Sequence, residues 1–236
     1  MLKQIVLFIF LSLIIIYLYI DFPKNKKLNK KLNKKFYELD ESFPFLKTIG
    51  TINNINIIKS ELNCLLDDNI WNEWPEYNLW KNKTNTTNTT KWTIFPIKAI
   101  NEWSKKNIKL CPKTYEILKN IPNLVNAGFS RLGPKTVLDG HYGWGSISNN
   151  ILRCHLALIV PGKAHIYCED EKRQQIENQW IVFDDSKWHY ADNMADSDRI
   201  VLILDILRPK HIELGKSTQE DTTELLGFIK EFNESK

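Results

Sequence analysis

Four short apolar runs in the second half of the chain, "RCHLALIVPG", "AHIYCED", "WIVFDDS" and "RIVLILDILRP", constrain the fold more than any other feature. Each has the length of a strand and ends at turn residues, Pro161-Gly162 after the first and Asp170-Glu171-Lys172 after the second. Four or more such runs from Val125 onward, with no helical pattern between them, predict an antiparallel sandwich or barrel. Residues 40–120 are mixed in texture. Within them, "CPKTYEILKNIP" sets Tyr115, Leu118 and Ile121 at helical spacing and stops at Pro122. Leu225, Phe228, Ile229 and Phe232 fall on one face of a predicted terminal helix.

The N-terminus carries a different signal. Ile5 to Ile20 is an uncharged apolar stretch of sixteen residues, close to the roughly 17–25 needed to cross a bilayer. No small residues precede Asp21-Phe22-Pro23 to form a cleavage site, so residues 1–22 are expected to be an uncleaved, single-pass membrane anchor. Seven lysines between Lys24 and Lys35 follow, with Leu28, Leu32 and Phe36 one helical turn apart. Residues 23–40 therefore read as a basic stalk near anionic headgroups or as a solvated helix. These lysines favour a cytosolic domain. The sequons at Asn82, Asn85 and Asn88 favour a lumenal one, unless "NKTNTTNTT" is only a polar loop.

Residues 41–236 suffice for one domain whose core needs no covalent staple. The spacing of Cys64, Cys111, Cys154 and Cys168 matches no zinc or disulfide framework. The net charge of +4 is concentrated in the stalk, which leaves the domain slightly acidic and argues against nucleic acid as a partner.

Within the domain a few polar residues interrupt apolar strands. His189 follows the acidic turn of "FDDSKWH", and His141 sits among glycines in "DGHYGWG". Imidazoles are ligands for iron, copper or zinc, but two of them do not define a metal site. Arg199 opens the run "IVLILDIL", where a guanidinium facing a core needs an anionic partner, unless it turns to solvent or Asp198. Arg153 and His155 share a strand face with the small Ala157. Together these side chains suit a dicarboxylate. Asp185-Ser186 reads first as a turn and second as a carboxylate orienting His189.

The motifs, in order, resemble those of the aspartyl/asparaginyl β-hydroxylases, a family of Fe(II)- and 2-oxoglutarate-dependent dioxygenases. "WTIF" is similar to W-x-x-F, "CPKTYEIL" to P-K-T-x-x-L-L, and "HYG" to H-T-G. "LRCHLALIVP" is similar to L-R-x-H-L-x-L-x-x-P, "FDDSKWH" to F-D-D-S-x-x-H, and the ten-residue step from His189 to Arg199 is kept. The resemblance runs from Trp92 to Pro209. It implies a mainly β double-stranded β-helix (a cupin-like jelly roll) with flanking helices. It also implies iron held by His141 and His189, and 2-oxoglutarate held by Arg199 and Arg153 with His155, Ser130 and Trp92. O₂ is then the oxidant.

Where most relatives of such a fold carry Asp or Glu two positions after the first histidine, this chain has Gly143, so the resemblance implies only two protein ligands. The segment from His141 to Arg153 is longer than the family pattern, and "RQQIENQW" replaces W-E-x-G. The expected substrate is the β-carbon of Asp or Asn in a polypeptide, EGF-like modules among the candidates. The alternatives are a lipid acyl chain, as in the similar lipid A hydroxylases, and a non-catalytic jelly-roll module that binds metal or peptide.

Overall fold

A computed structural model describes residues 34–66, 68–80 and 91–234. The expected anchor, most of the stalk and the three sequons lie outside the described residues. Among the described residues no helix is long and apolar enough to cross a membrane. Phe36, expected in the stalk, instead begins a short strand of the domain and is buried.

Twelve strands form two antiparallel sheets among the described residues. In chain order the elements are β1 (Phe36–Tyr37), α1 (Leu46–Ile49), α2 (Ile52–Cys64), β2 (Asn72–Glu73), β3 (Trp92–Ala99), β4 (Glu102–Trp103), α3 (Asn107–Leu110), α4 (Pro112–Leu118) and β5 (Leu124–Leu132). They continue with β6 (Thr136–Val137), α5 (Gly145–Ser148), β7 (Ile151–Ile159), β8 (Ala164–Cys168), β9 (Glu171–Gln174), β10 (Trp180–Phe183), β11 (His189–Asn193), β12 (Arg199–Leu207) and α6 (Thr223–Glu234). The large sheet runs β1-β10-β7-β12-β5-β3-β2, with β4 beside β3, and the small one runs β6-β11-β8-β9. The mainly β class, the four strands read from the apolar runs and both predicted helices are all present.

Strand alternation splits the large sheet into two unlike faces. Phe95, Phe129, Leu156 and Leu204 point outward and pack on Ile55 and Ile58 of α2 and Leu118 of α4. Helix α4 has no capping side chain of its own. Glu61 of α2 supplies one, its carboxylate accepting the backbone N–H of Lys113 at 2.9 Å and of Thr114 at 2.7 Å. The inner face of the same sheet meets the small sheet through a smaller core that includes Phe36, Leu132, Ile166 and Phe183. Pro96 lacks the N–H that β3 would donate, and the β3–β5 register slips between Pro96 and Lys98.

Candidate active site

His141 and His189 face each other across an isolated antiparallel bridge. The His141 N–H donates to the His189 carbonyl at 3.0 Å, and the His189 N–H donates back at 2.9 Å. Directly opposed residues project on the same side of a ladder, so the two rings stand 4.4 Å apart between centroids. The Nδ1 of each ring lies 2.8 Å from a carbonyl two residues upstream, Asp139 O for His141 and Lys187 O for His189. A carbonyl only accepts, so each Nδ1 carries the hydrogen and each Nε2 of a neutral ring keeps its lone pair for the cavity. Burial first, then the charge of His189, pushes the His141 imidazole down to about 3. It is therefore neutral at physiological pH, the form a metal takes.

The two aspartates of "FDDS" divide the roles that the sequence left together. Asp184 makes the turn: its carboxylate accepts the Ser186 N–H at 3.1 Å and the Ser186 hydroxyl at 2.6 Å, and Arg208 clamps it. Asp185 turns to the histidines, with Oδ1 3.2 Å from His189 Nε2. The turn reading is thus corrected to Asp184, and Asp185 is a buried group of the site. A Cβ at position 143 would overlap the Asp185 carboxylate, so Gly143 leaves the room which that carboxylate fills. Burial opposes ionisation of Asp185, but the Arg153 guanidinium and then His189 hold its carboxyl below the usual range. A ring lone pair and a carboxylate oxygen 3.2 Å apart require a proton or a cation beside them. Among the described residues no three His, Cys, Asp or Glu side chains are placed to hold a metal together. What the donor set offers is two imidazole Nε2 atoms facing one cavity, a pair that fits a metal held by two histidines.

Arg153 stands differently from the expectation. It lines the cavity, but its Nη1 contacts Asp185 at 2.5 Å, while its Nε and Nη2 donate to Asp205 at 2.8 and 3.0 Å. The register explains the pair, since Asp205 lies directly opposite Arg153 on β12. Two carboxylates already occupy this guanidinium, so it steadies Asp185 rather than standing ready for a free anion. The available clue was Asp205 itself, a lone acid in an otherwise apolar strand.

Arg199 differs from Arg153. It is only 2% exposed, and among the described residues no acidic group lies within ion-pair distance of it, Asp198 facing Arg131 instead. Its Nε has no hydrogen-bond partner. Burial lowers its guanidinium to about 10 against the pull of Asp192, and it remains charged. A buried, unpartnered charge is costly, so the site is built for an anion that completes it. His155 Nε2 is likewise unpartnered, and its Nδ1 lies 3.4 Å from the side-chain amide of Gln175. An amide N–H donates to that nitrogen, which leaves Nε2–H aimed outward as a donor. Ser130 presents a hydroxyl held by the Trp92 indole N–H at 3.1 Å. All seven residues expected at the site line one cavity.

Two imidazoles whose Nε2 atoms are free of backbone partners and a buried guanidinium thus line one cavity on antiparallel sheets. Residues 53–209 match the family described as aspartyl/asparaginyl beta-hydroxylase, and the chain belongs to that family. It is 36% identical over 121 residues to an ornithine lipid ester-linked acyl 2-hydroxylase of Rhizobium tropici, covering 50% of this chain and 42% of that protein. It is 33% identical over 112 residues to aspartate beta-hydroxylase domain-containing protein 2 of Xenopus tropicalis, covering 44% of this chain and 30% of that one. The chain thus spans under half the length of these relatives. Among solved structures, a Pseudomonas putida prolyl-4-hydroxylase aligns at 11% identity and a TM-score of 0.42, over 66% of this chain and 88% of that one.

Proposed function

We propose that the chain is an Fe(II)- and 2-oxoglutarate-dependent dioxygenase on a double-stranded β-helix, converting a substrate C–H to C–OH. The observation that carries this reading is the unpaired, buried Arg199 in the same cavity as the two metal-ready imidazoles. His141 and His189 would hold the iron. Arg199, with the hydroxyl of Ser130 and the Nε2–H of His155, would hold the distal carboxylate of 2-oxoglutarate, which a planar guanidinium can grip through two hydrogen bonds. Arg153 keeps Asp185 ionised beside His189, and Trp92 holds the Ser130 hydroxyl in place. Bound iron and co-substrate supply the activation of O₂. One oxygen atom enters the substrate and the other enters succinate, with loss of CO₂.

The expected polypeptide substrate, an Asp or Asn side chain, has the support of the family's name. The chemistry of the mouth favours the second reading, a lipid acyl chain. Among the described residues lining it, the cation is Arg153, already occupied by Asp185 and Asp205, while Glu76 adds a negative charge that a substrate aspartate would meet. The Rhizobium relative, named as an acyl 2-hydroxylase, supports the same choice; an anchor at residues 1–22, expected from the sequence alone, would hold the site at a membrane.

Anaerobic addition of Fe(II) and 2-oxoglutarate tests the reaction class. A visible metal-to-ligand charge-transfer band is expected, and His189→Ala should abolish it. A band that survives the substitution refutes the ligand assignment.

A further inference from the structure

A second cavity adjoins the catalytic one along the inner face of the large sheet. It opens to solvent, has a cavity volume of about 90 Å³ and shares Trp92, Ser130, Arg153 and Ile203 with the cavity of the two histidines and Arg199. Its floor is made by β3 and β5, with the small residues Pro96, Ala99 and Gly128. Its roof is the apolar side of α6, where Leu225 is buried and Phe228 and Ile229 are only half covered. Trp74 stacks between Trp92 at 4.4 Å and Trp144 at 5.8 Å, forming an indole wall on the side of the mouth.

Every polar side chain lining this groove beyond the catalytic end already has a partner. Lys98 donates to the Leu124 carbonyl at 2.6 Å, Asn126 to Asp205 at 2.9 Å, and Trp74 and Trp144 to Glu76 at 3.2 and 3.1 Å. A peptide laid here would bury its N–H groups with no free acceptor side chain to receive them, at a steep cost. A hydrocarbon chain meets no such penalty. From Trp92 to Lys98 the floor spans six residue steps, about 20 Å at ~3.3 Å per residue. That length suits an acyl chain and far exceeds an aspartate side chain.

We propose that this groove receives the acyl chain of the substrate, laid along β3 beneath α6 with its reacting carbon at the histidine pair. The proposal rests on the dioxygenase reading and names its substrate class.

The probe is a homologous series of brominated fatty-acyl methyl esters, added to the full chain in a bile-salt detergent without iron and followed by quenching of tryptophan fluorescence. Affinity should rise about fourfold per added methylene until the groove is filled. Ile229→Glu, on the groove side of α6, should weaken the longest esters about tenfold or more and spare the shortest. Leu226→Glu, on the exposed side of the same helix, should change neither. An affinity independent of chain length, equal losses in the two variants, or displacement of the esters by a peptide overturns the proposal. The charge-transfer band, recorded on the same preparations after anaerobic addition of Fe(II) and 2-oxoglutarate, separates the two claims. Its absence defeats the dioxygenase reading, whereas a normal band with a flat length dependence defeats the groove alone.

Discussion

The two faces of the large sheet are made from the same strands and do opposite work. On the outer face, Phe95, Phe129, Leu156 and Leu204 close against α2 and α4 in a hydrocarbon core. On the inner face the alternate residues of β5, β7 and β12 include Ser130, Arg153, His155, Arg199 and Asp205, and two of them keep unpartnered polar atoms. One face stabilises the fold. The other holds buried charge that the fold alone does not compensate. A substitution should therefore change stability in one direction on the outer face and in the other on the inner.

The largest effect is expected outside. Phe129 is fully buried, and Phe129→Ala should cost about 3–5 kcal/mol by chemical denaturation. The folded fraction should still form the charge-transfer band, and loss of the band in parallel with stability would mean that the faces are not separable. Inside, Arg199→Met should raise stability by about 1–4 kcal/mol, because an apolar side chain of similar volume replaces an unpaired buried charge. It should also abolish the rise in Tm that 2-oxoglutarate gives the parent protein. A destabilised Arg199→Met protein would mean that the guanidinium has a structural partner.

What the sequence disclosed follows the same division. The strands β7, β8, β10 and β12 were legible because apolar runs between turns have a local pattern. Strand β3 was not, since Pro96 breaks its alternation, and α2 was lost in a stretch where Ile55, Ile58 and Leu62 sit among asparagines and serine. At the site, residue types were legible and pairings were not. No local signal says that His141 lies opposite His189, and the lone acid Asp205 hints at a buried partner without saying that it is Arg153. Those facts belong to strand register, which is set by contacts distant in sequence. Gly143 illustrates the limit: the sequence showed a missing carboxylate, whereas the structure shows another carboxylate, from Asp185, in the vacated space.

Acid should sharpen the contrast further. Burial holds the imidazoles of His141 and His155 below their ordinary value of 6.5, the former at about 3. The unfolded chain binds protons there that the folded chain refuses, so stability falls as pH drops below about 6.5 toward 3. Asp185, held low, adds its own loss only in stronger acid, as pH falls through its folded value. For His155 the slope is at most about 1.4 kcal/mol per pH unit. His155→Leu should flatten the stability–pH profile of the metal-free protein, while Phe129→Ala should lower the whole profile and keep its slope. An unchanged slope in His155→Leu would show that this ring takes up its proton in the folded state.

The smallest effect concerns one hydrogen. Gln175 is buried, its Oε1 has no partner, and its amide nitrogen faces His155 Nδ1 at 3.4 Å. A donor at that place keeps the hydrogen on Nε2, where it can meet a carboxylate. Gln175→Glu offers an acceptor instead, which draws the hydrogen to Nδ1 and leaves a lone pair facing the anion. The affinity for 2-oxoglutarate should then fall about tenfold, the weight of one hydrogen bond, with iron binding unchanged. The ¹⁵N chemical shifts of the His155 ring should report the exchanged tautomer. Equal losses for iron and 2-oxoglutarate, or an unaltered tautomer with weakened binding, would reduce Gln175 to a spacer behind the strand and leave the anion pocket to Arg199 and Ser130.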